Sequence, residues 1–154
     1  MKRYSLLIAL MLLFNCSTFA SRTTDKDEEE FLKEAAIEVN ETLFGKTVEE
    51  YTVLIGAEFV HNDSENRFTF FYILDPDIYS NIDSEVKQEL KNIIKDNLRN
   101  IVNSSDVENA NNVFYLLSNL IENKTELAYS FCEKRKCFIL VFSVEELKEI
   151  FVGN

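Results

Sequence analysis

Residues 52–74 read TVLIGAEFVHNDSENRFTFFYIL, and their period decides the fold. Val53, Ile55, Ala57 and Phe59 alternate along one half, and Phe68, Phe70, Tyr72 and Leu74 along the other, with the polar stretch His61-Asn62-Asp63-Ser64-Glu65-Asn66 between them. Strict alternation on both sides of a polar break predicts a β-hairpin. Leu54, Val60, Phe71 and Ile73 occupy the alternate positions, so the second face is expected to be partly covered as well. Pro76, the sole proline, ends the second strand, because it cannot donate to a ladder.

Outward from this hairpin the period changes to that of a helix. On its N-terminal side Phe31, Leu32, Ala35, Ala36, Val39 and Leu43 recur at helical spacing. Asp27, Glu28, Glu29 and Glu30 sit where the positive end of the helix dipole favours acid, and Gly45 suits the C-terminal cap. On its C-terminal side Val86, Leu90, Ile93, Ile94 and Ile101 form one stripe, and Val107, Ala110, Val113, Phe114, Leu117, Leu120 and Ile121 form another. The break falls at Asn103-Ser104-Ser105, with Ser105 and Glu108 spaced as a capping box. Alternation returns at Leu127, Tyr129 and Phe131, and after Glu133-Lys134-Arg135-Lys136 an apolar run extends from Phe138 to Phe142, which predicts a second hairpin. Ser143 and Glu146 then form a capping box for a short terminal helix with Leu147, Ile150 and Phe151 inward. The expected fold is α+β: a four-stranded antiparallel sheet made of two β-hairpins, covered by an N-terminal helix and two middle helices, with a short C-terminal helix.

The first 20 residues, MKRYSLLIALMLLFNCSTFA, carry Lys2 and Arg3 ahead of an apolar run from Leu6 to Phe14. That run has the length of a secretion signal and is too short to span a ~30 Å hydrocarbon core. Thr18-Phe19-Ala20 favours cleavage after Ala20; the rival reading makes Cys16 a lipidated first residue, although Phe14 and Asn15 stand where small residues belong. The expected organisation is a signal peptide over 1–20, a flexible tether over 21–27 and one α+β domain over 28–154. A periplasmic or secreted location follows, with anchoring through Cys16 as the alternative.

Removing Lys2 and Arg3 with the signal takes the net charge of the 154-residue chain from −11 to −13. Nucleic acid and anionic lipid are therefore poor partners, and a basic protein is a favoured one. With 46% hydrophobic residues and thirteen Phe the chain is too rich in core material to be disordered. One His excludes multi-His metal sites and nearly all Ser-His-Asp chemistry, and three Gly cannot build a phosphate cradle. No cofactor, metal site or catalytic residue is implied. His61 beside Asp63 reads as a solvated loop histidine, and Asp63, Glu65, Asn66, Asp75 and Asp77 read as turn chemistry, since neither stretch has the spacing of a Ca²⁺ loop. Asn40, Asn62, Asn103 and Asn123 open Asn-x-Ser/Thr triplets, for which chance in an Asn-rich chain accounts.

Two features remain. Cys132 and Cys137 flank a four-residue turn and can face one another, so a structural disulfide is expected rather than a redox pair, which would be Cys-x-x-Cys at a helix start. Inside it Lys134, Arg135 and Lys136 form the densest basic cluster of an acidic chain, the candidate binding element for an acidic partner or a phosphate-bearing headgroup.

Val48-Glu49-Glu50-Tyr51-Thr52-Val53-Leu54, the strand from Arg67 to Leu74 and the closing strands from Leu127 to Phe142 together resemble a group of small secreted bacterial proteins, mostly of unknown function. In that group a signal peptide and a helix precede an aromatic hairpin, then helices, then a second hairpin. Their plan is similar to cystatin-like and pilotin-like modules, and the resemblance implies binding more than catalysis. A Cys that this plan would place in the middle helices is missing from Asn97 to Asn112. The expected function is a periplasmic, non-enzymatic binding module: an envelope accessory factor, or an inhibitor or immunity protein against an envelope-targeted toxin. The rivals are a lipid-anchored assembly or pilot protein, and a small hydrolase working through two carboxylates.

Overall fold

The structure, a computed structural model, describes residues 28–45, 47–49 and 52–152. The expected signal peptide and tether lie outside the described residues. In chain order the elements are α1 (Glu28–Thr42), β1 (Thr47–Glu49), β2 (Thr52–His61), β3 (Asn66–Leu74), α2 (Pro76–Tyr79), α3 (Ser84–Val102), α4 (Val107–Glu122), β4 (Glu126–Glu133), β5 (Lys136–Phe142) and α5 (Val144–Val152). The fold is α+β, as the periodicity predicts.

The strands form one five-stranded sheet in the order β1-β2-β3-β4-β5. Three of its pairings are antiparallel, but β3 and β4 run parallel, so the sheet is mixed rather than antiparallel throughout. The two hairpins meet through this parallel pair because the helices between them return the chain to the end of the sheet where β3 begins. There Thr125 Oγ1 donates to Asn66 Oδ1 at 3.0 Å, and Asn66 Nδ2 donates to the carbonyls of Asn123 and Lys124.

Parallel register sets Phe68, Phe70 and Tyr72 beside Leu127, Tyr129 and Phe131. The aromatic rings then stack in a row across the sheet, Phe70 on Tyr129 at 5.7 Å, Tyr72 on Phe131 at 5.2 Å and Phe131 on Phe138 at 5.1 Å. Such pairs add about 0.5–1.5 kcal/mol each beyond their area burial. The phenols of Tyr72 and Tyr129 are fully buried, which pushes both far above their ordinary range and keeps them protonated.

The helices pack on one another and on this aromatic face, burying Leu32, Ala35 and Val39 of α1, Leu90, Ile94 and Leu98 of α3, Val113, Leu116, Leu117 and Leu120 of α4, and Leu147 and Ile150 of α5. Two residues expected in the α4 stripe turn outward, Val107 and Phe114, the latter meeting Phe151 edge-on. Asp75 and Asp83 cap α2 and α3 through their side chains, and Ser143 and Glu146 bond reciprocally at the start of α5. The helix after the Asn103 break starts one residue beyond the Ser105 box, where the Ala110 amide bonds the carbonyl of Asp106.

The alternation of β2 is broken. A bulge between Leu54 and Gly56 shifts its register against β3, so Leu54 is buried in the core with Ala57, while Val53 and Ile55 fall on the other face and are only partly buried. Gly56 takes φ +151°, and a Cβ there would lie 2.6 Å from Asn40 Oδ1. Asn40 fills the gap from α1: its Oδ1 accepts from the Ala57 amide at 2.8 Å and its Nδ2 donates to the Ala57 carbonyl at 2.9 Å. One side chain thus acts as a strand partner where the ladder is interrupted.

Candidate functional site

Cys132 and Cys137 are directly opposed in the β4–β5 ladder, with Cα atoms 4.1 Å apart and sulfurs 2.09 Å apart. Glu133 and Lys136 form the last pair of the ladder, which leaves Lys134 and Arg135 alone in the turn. The turn is therefore two residues long rather than four, and Lys136 belongs to the strand. Such a tight connection needs positive φ at its first central position, where Gly is the ordinary occupant. Here that position is Lys134, at φ +53°. A lysine held in this region costs about 1–2 kcal/mol relative to glycine. Clamped by the disulfide, the turn presents Lys134 with its side chain 84% exposed, 3.6 Å from the Glu133 carboxylate.

A fourth cation joins the three that the sequence singles out. Lys87 of α3 places its Nζ over the ring of Phe138 at 5.0 Å, and Lys136 precedes Phe138 by two residues on the same strand face. Lys87, Arg135 and Lys136 have no carboxylate within ion-pair distance among the described residues. The next lysines of the same stripe are engaged. Lys91 lies over Phe142 at 5.3 Å and pairs with Glu146 at 2.8 Å, and Lys95 pairs with Glu149. Burial works to raise the Glu146 carboxyl, but the hydrogen bonds from Lys91 and the Ser143 amide, with the charges of Lys91 and Lys95, outweigh it and hold the group below its ordinary value. The spacing 87, 91, 95 was visible in the sequence; which of the three stays unpaired was not.

The first hairpin loop contrasts with this. Asn62 Oδ1 accepts from Ser64 N, Ser64 Oγ and Glu65 N, and closes the turn. His61 Nδ1 lies 3.0 Å from Asn66 Oδ1, and its Nε2 is 3.9 Å from a Glu29 carboxylate. Asp75 Oδ1 accepts the Asp77 amide at 2.9 Å as part of the α2 cap. No cluster of three or more His, Cys, Asp or Glu side chains is placed to hold a metal ion among the described residues.

β5 is the last strand of the sheet on this side, so no further strand pairs with it among the described residues. It is regular from Lys136 to Phe142, without a bulge, a proline or a charge after Lys136. Phe138, Leu140 and Phe142 point into the core, while Ile139, on the opposite face with the disulfide, is 46% exposed. Ile73, beside Cys132 on that face, is exposed to the same extent.

No sequence-family model and no curated protein matches the chain. In overall shape it is similar to the crystal structure of a Pseudomonas aeruginosa protein, PA3611, provisionally described as secreted. The superposition covers 80% of this chain and 99% of that one with a TM-score of 0.51 at 12% sequence identity. The likeness establishes a shared α+β fold. Among the described residues, no helix is long and apolar enough to cross a membrane.

Proposed function

We propose that the protein is a secreted, non-enzymatic binding module of the bacterial envelope, an accessory factor or an inhibitor or immunity protein, which recognises a protein partner through the β4–β5 turn. The observation that carries this reading is the turn itself. A lysine is kept in a conformation that glycine would adopt more easily, a disulfide holds it, and the cations around it have few carboxylates to answer them. Strain retained at an exposed position points to use rather than stability. The signal-like leader and the opposed cysteines support an extracytoplasmic setting, where a disulfide persists.

The charge distribution describes the partner. A body with 27 acidic residues against 16 basic ones attracts a protein of net positive charge and speeds its encounter, while the basic turn requires that this protein offer a local acidic segment. A turn ordered before contact avoids the cost of immobilising long side chains on binding.

Affinity capture from envelope extract tests this. The chain from Ser21, compared with a variant carrying Lys134→Ser, Arg135→Ser and Lys136→Ser, should retain one specific protein that the variant loses. The thermal midpoint of the two should be nearly equal, because solvated turn residues usually contribute within ~0.5 kcal/mol. Equal capture by both proteins overturns the assignment of the turn, and turnover of cell-wall glycan that one carboxylate substitution abolishes overturns the non-enzymatic class.

A further inference from the structure

We infer that the outer edge of β5 is a strand-addition site, which takes an extended segment of the partner as a sixth strand, apolar at alternate positions and acidic where it passes the turn. The inference rests on the binding-module reading and names the partner's chemistry at that site.

The hydrogen-bond parity of the hairpin fixes which groups are available. A two-residue turn makes its flanking residues, Glu133 and Lys136, a hydrogen-bonded pair. Cys132 and Cys137 are then a non-hydrogen-bonded pair, consistent with their short Cα separation of 4.1 Å. Counting on, Phe138, Leu140 and Phe142 bond to β4, while the N–H and C=O groups of Cys137, Ile139 and Val141 point away from it. None of those three residues makes a backbone hydrogen bond outside the ladder among the described residues.

Natural edge strands are normally blunted by a bulge, a proline, a charged side chain (lysine above all), a very short length or a covering helix or loop. The short, bulged β1 at the far edge of this sheet is blunted in this way. β5 has seven residues in unbroken register with no bulge and no proline, and its one charge, Lys136, stands at the turn end, so the stretch from Cys137 to Phe142 carries no charge.

Charge complementarity then selects the occupant. The cations at the start of this edge are Arg135 and Lys136 with Lys87 above Phe138, all without an ion-pair partner among the described residues, so an added strand is stabilised by an acidic side chain at that end. Farther along, the half-exposed Ile139 offers an apolar contact on the face that carries the disulfide. Main-chain bonds supply affinity in this mode of recognition, and alternate side chains supply selectivity.

The test uses the chain from Ser21 and three synthetic peptides. The first has the sequence of residues 126–133 with Cys132→Ser, an alternating strand with Glu at both ends. The second is the same peptide with Glu126→Lys and Glu133→Lys, and the third carries N-methyl groups at alternate backbone amides. By fluorescence anisotropy the first should bind, the second should bind at least ~10-fold more weakly, and the methylated peptide should not bind, because it cannot complete the ladder. Ile139→Pro should abolish binding of the first peptide while preserving the fold, since the N–H it removes faces away from β4 and proline is tolerated at such edge positions.

Equal binding of the methylated peptide, or undiminished binding by Ile139→Pro, overturns strand addition. If Ile139→Pro also retains the envelope partner that the triple turn variant loses, the turn binds without strand addition, and the reading of the turn stands alone. Failure of the first peptide to bind at millimolar concentration overturns the proposal. A dimer of the free protein that Ile139→Pro dissociates overturns the choice of partner and makes the occupant a second copy of this chain.

Discussion

At the β2–β3 turn, Asn62 satisfies three donors of its own loop, and Asn66 ties that loop to the end of α4 through the carbonyls of Asn123 and Lys124 and the hydroxyl of Thr125. At the β4–β5 turn, Lys134 adopts a conformation that glycine would take with less strain, and Arg135 and Lys136 have no ion-pair partner among the described residues. The first hairpin uses its polar side chains to join parts of the fold. In the second only Lys134 meets a carboxylate, that of its neighbour Glu133 at 3.6 Å, and the turn is held by a disulfide instead of by bonds from its polar side chains. A polar cluster in sequence is a functional candidate only to the extent that the fold leaves its groups unengaged, and this separates the two turns.

The comparison breaks most easily at Gly56. Gly56→Ala meets both an unfavourable φ and the Asn40 carboxamide, so it should destabilise the protein by at least ~3 kcal/mol in chemical denaturation. Adding Asn40→Ala relieves the clash but leaves the Ala57 amide and carbonyl without partners, so the double variant should be less stable than the wild type yet show a favourable coupling between the two changes. Strict additivity would mean that Asn40 and Gly56 do not share one lock. Next in size is Asn66→Ala, which removes the amide donor from the Asn123 and Lys124 carbonyls but leaves the Thr125 hydroxyl bonded to the Asn123 carbonyl at 3.2 Å, and should cost about 1–2 kcal/mol. His61→Ala should change stability by less than ~0.5 kcal/mol, because an exposed ring leaves little unsatisfied when removed. An equal cost for the two would show that the histidine, not the asparagine, ties the loop.

The helices α1, α3, α4 and α5, both hairpins, the Ser143–Glu146 box and the opposed cysteines were legible because each is written in local spacing, whereas the three-residue β1 and the single turn of α2 are too short to leave a period. The parallel joining of β3 to β4 was not, since alternation tells which face a strand buries and not which strand lies beside it. One signal was available: Leu127 to Phe131 are buried without interruption, and a continuous apolar or small-residue run is the mark of an interior strand. The β2 bulge also left a trace, an isolated glycine within a strand pattern, which displaced the expected faces of Val53 and Leu54. Pro76 ends β3, as its missing donor predicts, and with Asp75 it also supplies the first position and the cap of α2. Of the candidate site, the three basic residues and the disulfide were visible in the sequence. The fourth cation, Lys87, joins them only through the packing of α3 over Phe138, which no sequence spacing encodes.

The smaller effects concern the second hairpin. Replacing Cys132 and Cys137 together with Ser should lower stability by at most about 2 kcal/mol, because the loop they close is short. A loss well above that would make the bridge a support for the whole sheet rather than for the turn, and would weaken the contrast between the hairpins. Lys134→Gly is the finest test. Glycine adopts φ near +53° without the Cβ penalty, so the variant should gain about 1 kcal/mol, read as a higher denaturation midpoint at unchanged slope. It also removes one charge and loosens the turn, so partner capture should weaken as stability rises. These opposite signs are the signature of strain retained for recognition. If Lys134→Gly gains stability and captures the partner as well as the wild type does, the strain serves no recognition, and the working part of the patch is Arg135, Lys136 and Lys87. If it gains no stability, the backbone at Lys134 is unstrained and the contrast between the two turns rests on their charges alone.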